Sequence, residues 1–196
     1  MEPERIIVAI SGASGAPVAV ELLRYLRQCP DIESHLIISR GAEQTIGQEC
    51  ELSVGEVIEL ADVFYDFNDI GAAVASGSFK TMGMIVAPAS MKTLAGLASG
   101  YSDNLLLRAA DVCLKERRRL VLAARESPLG TIHLRNMLTL SETGAIILPL
   151  ALTYYNHPRT VHDMTCHMAG KILDLFGLDL PDFKRWAGGQ SANGKN

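Results

Sequence analysis

Arg5-Ile6-Ile7-Val8-Ala9-Ile10-Ser11-Gly12-Ala13-Ser14-Gly15-Ala16-Pro17 is the stretch that decides the fold. From Ile6 to Ile10 every residue is apolar, the pattern of a strand buried on both faces. Val18, Leu22, Tyr25 and Leu26 follow at helical spacing. Between strand and helix lies a short link with glycine at 12 and 15. Glycine lets a backbone approach a ligand closely, and Pro17 suits the first turn of a helix. A helix start offers free N–H groups and the positive end of a dipole to an anion. Taken alone, the loop reads as an anion site or as a tight turn with Ser14 as a cap. Its glycines do not follow G-x-G-x-x-G, so the dinucleotide fingerprint is absent.

The same alternation continues along the chain. Strands are expected at Glu33–Ile38, Val63–Tyr65, Met84–Ala87, Leu120–Ala123 and Ala145–Leu148. Helices are expected at Ala42–Gln48, Met91–Ala98, Asn104–Glu116, Thr131–Glu142 and Val161–Phe176. Ser53 and Glu56 form a capping box for a short helix running to Leu60. Unbroken apolar strands alternating with helices predict an α/β fold: a doubly wound, mostly parallel sheet in three layers, Rossmann-like or flavodoxin-like. Ligands of such sheets sit outside the carboxyl ends of the strands. One domain is expected over residues 1–186, with a polar, disordered C-terminal tail over 187–196.

The chain has 196 residues, enough for one domain with a full core. A formal net charge of −4 argues against nucleic acid as the main partner. Cys29, Cys50, Cys113 and Cys166 form no C-x-x-C pair, so they read as reduced thiols of a cytoplasmic protein and not as metal ligands. Met1 to Arg5 is polar and charged, so no signal peptide is expected. The apolar run Ala145–Leu152 is too short to span a bilayer.

Other candidates follow the strands. Ser39-Arg40 ends the second strand, and Ser39 can cap a helix or bond a phosphate. Glu49 closes the next helix, by default as a solvated acid. Pro88-Ala89-Ser90-Met91-Lys92-Thr93 brings two hydroxyls and backbone amides to a helix start. Arg125-Glu126-Ser127-Pro128 offers an arginine for bidentate phosphate binding and a carboxylate to orient it or move protons. In Lys115-Glu116-Arg117-Arg118-Arg119, most of the positive charge is explained by the helix C-terminus. Tyr155, in Tyr154-Tyr155-Asn156-His157-Pro158, reads as a half-buried aromatic with its hydroxyl at a rim. Lys171 and Trp186 read by default as a solvated charge and a surface cover. His157, His162 and His167 do not make H-E-x-x-H. No D-D-x-x-D, G-x-S-x-G or P-loop motif occurs.

In order along the chain, Gly12-Ala13-Ser14-Gly15, Ser39, Glu49, Ser90, Arg108-Ala109-Ala110-Asp111-Val112, Lys115-Glu116-Arg117-Arg118, Arg125-Glu126, Ile132-His133-Leu134, Asn136-Met137-Leu138, Tyr155 and Pro158 resemble the UbiX family of flavin prenyltransferases. The short chain is also similar to paralogues labelled B subunits of hydroxyarylic acid decarboxylases. The resemblance implies transfer of a dimethylallyl group from dimethylallyl monophosphate to N5 and C6 of FMN, without metal. It implies a separate UbiD-type decarboxylase as recipient of the prenylated FMN. It also implies a homo-oligomer, a dodecamer with active sites at subunit contacts.

By the same resemblance, Gly12, Ala13, Ser14, Ser39, Ser90, Met91, Lys92, Thr93 and Arg125 hold FMN, with Ser14 beside N5. Lys115, Arg125, Glu126, Tyr155 and Lys171 surround the donor phosphate. Glu49 and Glu126 handle protons, and Trp186 helps close the site. Lys171 stands where many members have arginine, which replaces a bidentate fork with a point charge. The rival readings are an FMN-binding subunit or carrier of a decarboxylase, and a flavin-dependent cysteine decarboxylase. The latter needs a Pro-x-Met-Asn-type segment that Pro158-Arg159-Thr160-Val161 does not supply.

Overall fold

The computed structural model describes residues 2–180 together with Phe183 and Arg185. Trp186 and the polar tail lie outside the described residues. Six strands alternate with seven helices: β1 (Glu4–Ile10), α1 (Ala16–Leu26), β2 (Ile32–Ile38), α2 (Arg40–Glu49), α3 (Val54–Ile58), β3 (Val63–Tyr65), β4 (Gly83–Ala89), α4 (Met91–Ala98), α5 (Leu105–Lys115), β5 (Arg119–Ala124), α6 (Thr131–Glu142), β6 (Ile146–Ile147) and α7 (Val161–Asp174). A 3-10 turn at Ala73–Ala75 was not foreseen. Caps set the helix starts. Ser39, Ser90 and Asn104 each accept a bond from an early N–H of α2, α4 and α5. The Ser53–Glu56 box opens α3 as expected.

The strands stand in the order β3-β2-β1-β4-β5-β6, and every neighbouring pair is parallel. The direction of winding reverses between β1 and β4, which is where this sheet order opens its ligand crevice. Side chains of β1 alternate between two cores. Ile6, Val8 and Ile10 meet Ala19, Leu22, Leu23 and Leu26 of α1 and Ile172 and Leu173 of α7. Ile7 and Ala9 share the other core with Leu94 of α4, Ala109 and Cys113 of α5, and Leu140 of α6. Both faces are covered, which is why the strands read as continuous apolar runs. The last strand is shorter than expected: only Ile146–Ile147 pairs, with Val121 and Leu122 of β5.

One polar cluster interrupts the second core. His35 on β2 lies 3% exposed, with Nε2 at 2.7 Å from Glu33 and Nδ1 at 3.0 Å from the Tyr65 hydroxyl. Burial pushes the His35 pKa below its ordinary value, outweighing the attraction of Glu33. Glu33 is held below the usual carboxylate range, first by its hydrogen bond with His35. Both groups therefore bind protons more readily in the unfolded chain. Stability is complete above the ordinary histidine value of 6.5 and falls as pH drops through it, then falls again below the carboxylate value of 4.5. A pH series of thermal unfolding will show this loss, and His35→Gln, although less stable at neutral pH, will flatten the slope between about pH 6.5 and 5.

Candidate functional site

At the switch point, the loops after β1 and β4 are tied by one buried hydroxyl. Ser11 Oγ donates to the Pro88 carbonyl at 2.7 Å and accepts from Ser90 N at 2.8 Å. The Ala87–Pro88 bond is cis. Gly12 then runs against Gly41 of α2 so closely that a Cβ on Gly12 would stand 2.9 Å from the Gly41 Cα. No side chain fits between these backbones, so both glycines are required by contact.

Two cavities open on either side of this loop. The first, about 450 Å³, is lined by Gly12, Ser39, Arg40, Gly41, Phe67, Asn68, Ser90, Lys92, Thr93, Asp103 and Asn104, among others. The starts of α2, α4 and α5 all face it. Arg40 and Lys92 add positive charge at two of those starts, an arrangement suited to a phosphate. Ser90 and Thr93 pair through their hydroxyls at 3.0 Å. The second cavity, about 480 Å³, is lined by Ser14, Gly15, Pro17 and Val18 at the start of α1, by Glu49 and Arg125, and by Leu150, Leu152, Val161, Met164, Thr165 and Met168. It is an apolar chamber with one carboxylate and one guanidinium at its wall.

Glu49 corrects the first reading of the loop. The N-terminus of α1 was expected to hold an external anion. Instead Glu49 Oε2 accepts from Gly15 N at 2.8 Å and Ala16 N at 3.1 Å. Ser14 is not the cap: Gly15 holds that place at φ 117°, and no side chain of its own caps the helix. A Cβ on Gly15 would also strike Leu150 Cδ1 at 2.8 Å. With α1 satisfied from within, the open anion seats are those of α2 and α4 in the first cavity.

The expected residues divide accordingly. Gly12, Ser39, Ser90, Lys92 and Thr93 gather at the first cavity; Ser14, Glu49 and Arg125 gather at the second. Ala13 and Met91 line neither. Glu126 follows Arg125 on the exposed loop, with Oε1 accepting from Ser127 N at 3.0 Å.

Lys115 is far from both. It ends α5 beside Glu116, its ion-pair partner, at the amino edge of the sheet where Arg119 of β5 pairs with Gly83 of β4. The length of those strands, about 20 Å, separates it from the carboxyl edge. Tyr155 and Lys171 lie along α7 instead of in the chamber. The Tyr155 hydroxyl stands 3.4 Å from His167 Nε2, and Lys171 Nζ is 3.5 Å from Asp174. Burial, helped by Lys171, holds the His167 pKa below its ordinary value. Trp186 falls outside the described residues.

Sequence reasoning passed over Phe67, Asn68 and Asp103 in the first cavity and Leu150, Leu152, Val161 and Met164 in the second. The alternation of Leu148, Leu150 and Leu152 around Pro149 was the available clue to an apolar wall.

A parallel sheet of this order, with capped helix starts crowding an anion-friendly cleft at its switch point, defines a mononucleotide- or flavin-binding α/β protein. The Flavoprotein family model matches residues 1–174. A probable UbiX-like flavin prenyltransferase of Sedimentibacter hydroxybenzoicus is 50% identical over 184 residues, 94% of this chain and 97% of that one. The solved structure of AnUbiX in complex with FMN and dimethylallyl pyrophosphate is 48% identical, with a TM-score of 0.94 over 96% of this chain and 100% of that one. A dodecameric FMN-dependent UbiX-like decarboxylase from Escherichia coli O157:H7 is 50% identical, with a TM-score of 0.92 over 94% of this chain and 100% of that one. The chain belongs to the UbiX-like flavin prenyltransferases within the flavoprotein family.

Replacing Glu49 by alanine strands two N–H groups at the start of α1. Thermal or urea unfolding will show Glu49→Ala destabilised by about 1 kcal/mol, with Glu49→Gln less affected because its amide oxygen still accepts.

Proposed function

We propose that this protein transfers a dimethylallyl group from dimethylallyl monophosphate to reduced FMN, forming bonds at flavin N5 and C6. The observation that carries the reading is the pair of cavities divided by the Gly12–Ser14 loop. One sets Arg40 and Lys92 against a single Asp103 among hydroxyls and helix starts, as a flavin phosphate and ribityl chain require. The other is apolar and walled by Glu49 and Arg125, as an allylic phosphate requires.

The residues fit the flavin. Gly12 and Gly41, packed backbone to backbone, both line the first cavity, and a Cβ on Gly12 would push that wall apart. Ser39, Ser90, Thr93 and the amides behind them would hold the phosphate, with Arg40 and Lys92 as counter-charges. Ser14, two residues beyond Gly12, would meet the reacting edge. When bound, reduced FMN supplies the nucleophilic ring atoms.

Cleaving the allylic C–O bond builds negative charge on the donor phosphate. Arg125 stands ready at the chamber wall, and a cation fixed in advance stabilises that charge without reorganisation. Leu150, Met164 and Met168 give the dimethylallyl chain an apolar wall, and Leu152 and Val161, exposed in the single subunit, would shut out water once a neighbouring subunit covers them. Glu49, at the chamber wall, and Glu126, on the loop after Arg125, are the carboxylates this reading assigns to accept the proton lost from C6. The leaving phosphate is a second acceptor.

Lys115, at the wrong edge of its own subunit, serves in this reading from a neighbouring one, and Tyr155 and Lys171 complete the donor-phosphate shell where subunits meet. Ile132, Leu134 and Leu138 of α6, with Leu152, Tyr154 and Val161, are exposed, an apolar surface of the kind that subunit contacts cover. The assembly proposed is a dodecamer. No helix among the described residues is long and apolar enough to cross a membrane, and Cys29, Cys50 and Cys113 are thiols outside any disulfide. Both fit a cytoplasmic enzyme that hands prenylated FMN to a UbiD-type decarboxylase. A carrier of FMN needs the first cavity alone; the chamber with Glu49 and Arg125 favours the transferase.

Anaerobic incubation of the protein with reduced FMN and dimethylallyl monophosphate will raise the flavin mass by one dimethylallyl group. An unchanged mass overturns the reading, and a parallel reaction with the diphosphate fixes the donor. Glu49→Gln and Tyr155→Phe will slow prenylation while FMN still binds. Gly12→Ala will lose FMN affinity by about tenfold or more, measured by flavin fluorescence, because its Cβ collides with the Gly41 backbone and displaces the cavity wall. Lys115→Ala and Arg125→Ala will each be inactive alone. Mixed oligomers of the two will regain about one quarter of sites, the fraction in which a wild-type Lys115 from one subunit meets a wild-type Arg125 from another.

A further inference from the structure

Outside both cavities, three metal-binding side chains converge on the seam between α1 and α7. His162 and Cys166 are four residues apart on α7, the spacing that places them on one helix face. Glu21 reaches them from α1, and among the described residues these three form the one such group whose ligand atoms all lie within 4.8 Å of one another. Cys166 Sγ stands 3.4 Å from His162 Nε2 and 4.0 Å from Glu21 Oε2. His162 Nδ1 is 4.0 Å from Glu21 Oε1. Glu21 is only 9% exposed, and Arg24 donates to its Oε1 at 3.1 Å. That leaves Oε2 turned toward the sulfur.

We propose that Glu21, His162 and Cys166 form a zinc site that clamps α1 to α7. One thiolate, one imidazole and one carboxylate are borderline-soft donors that suit Zn²⁺ and not Mg²⁺ or Ca²⁺. Tetrahedral zinc with ordinary bond lengths requires sulfur and nitrogen about 3.5 Å apart and oxygen about 3.4 Å from nitrogen. With Nδ1 as the ligand nitrogen, the sulfur stands at 3.8 Å and Glu21 Oε1 at 4.0 Å, so the sulfur closes by about 0.3 Å and the oxygen by about 0.6 Å to reach those spacings. Three protein ligands leave the fourth position to water. On binding, Zn²⁺ replaces the thiol proton of Cys166, which passes to solvent.

The ligands are neighbours of the second cavity's wall. Val161 and Thr165, which line it, precede His162 and Cys166 directly, and Val18 lines it from α1, one turn before Glu21. The metal would hold the two halves of that wall in register and take no part in the chemistry. Spacing along the chain gave no hint of the site, because its third ligand lies more than a hundred residues away on another helix.

The test uses the intact oligomer, reduced and stripped of metal. Titration with Co²⁺ will give one equivalent per subunit with thiolate-to-cobalt charge-transfer absorption, and Zn²⁺ will displace it. Zn²⁺ will raise the melting temperature of the wild type. Cys166→Ser will lose the charge-transfer band and His162→Ala will weaken binding by more than the roughly tenfold that a lost supporting group costs. Without metal, both variants will melt within a few degrees of the wild type. Absence of saturable binding overturns the proposal, as does a charge-transfer band that survives Cys166→Ser. So does an equal rise of melting temperature with zinc in both variants. None of these readouts depends on prenylation.

Discussion

The bond from Glu49 to the start of α1 governs the layout of the active edge. Every helix that follows a parallel strand points its amino end at the same edge, so several dipoles compete for the same anions. By filling one of them from within, Glu49 leaves the starts of α2 and α4 as the ones open toward the first cavity. The polar cleft and the apolar chamber are then distinct, although Gly12 and Ser14, two residues apart, face one each. A carboxylate held at the chamber wall by two amides is also oriented, which a surface acid on a free helix end is not.

The fold was legible because the physics behind it is local. Apolar runs flanked by glycine, proline and hydroxyl caps gave six strands and seven helices, and α4 and α6 match their expected bounds. Failures came where pairing, not composition, sets the limits. Ala145–Leu148 is apolar throughout, yet the regular ladder covers only Ile146 and Ile147; Leu148 N and Leu150 N still donate to Leu122 and Ala124 of β5, but Pro149 between them has no N–H to give, and Leu150 goes on to the chamber wall.

Among the candidate site residues, those at strand ends gather at the two cavities and others do not. Ser39, Ser90, Lys92, Thr93 and Arg125 follow strands directly, and the parallel sheet carries such residues to one edge. Lys115 precedes a strand. A helix leading into a parallel strand must end at the opposite edge, so topology alone places that lysine away from its own chain's cavities. The same accounting explains why Glu49 was easy to name and hard to seat: its position depends on where α2 ends against α1, a contact that no local pattern records.

The close pass of Gly12 over Gly41 has a mechanical meaning. With backbone against backbone, the loop after β1 and the foot of α2 can only shift together. Glu49 closes the same helix eight residues after Gly41, about 12 Å away, at the start of α1. α2 is thus a ruler laid between the two cavities. One residue more or fewer would swing Glu49 by about 100° around its axis and off the amides it grips. Its length in turns is as tightly set as any side chain in the site.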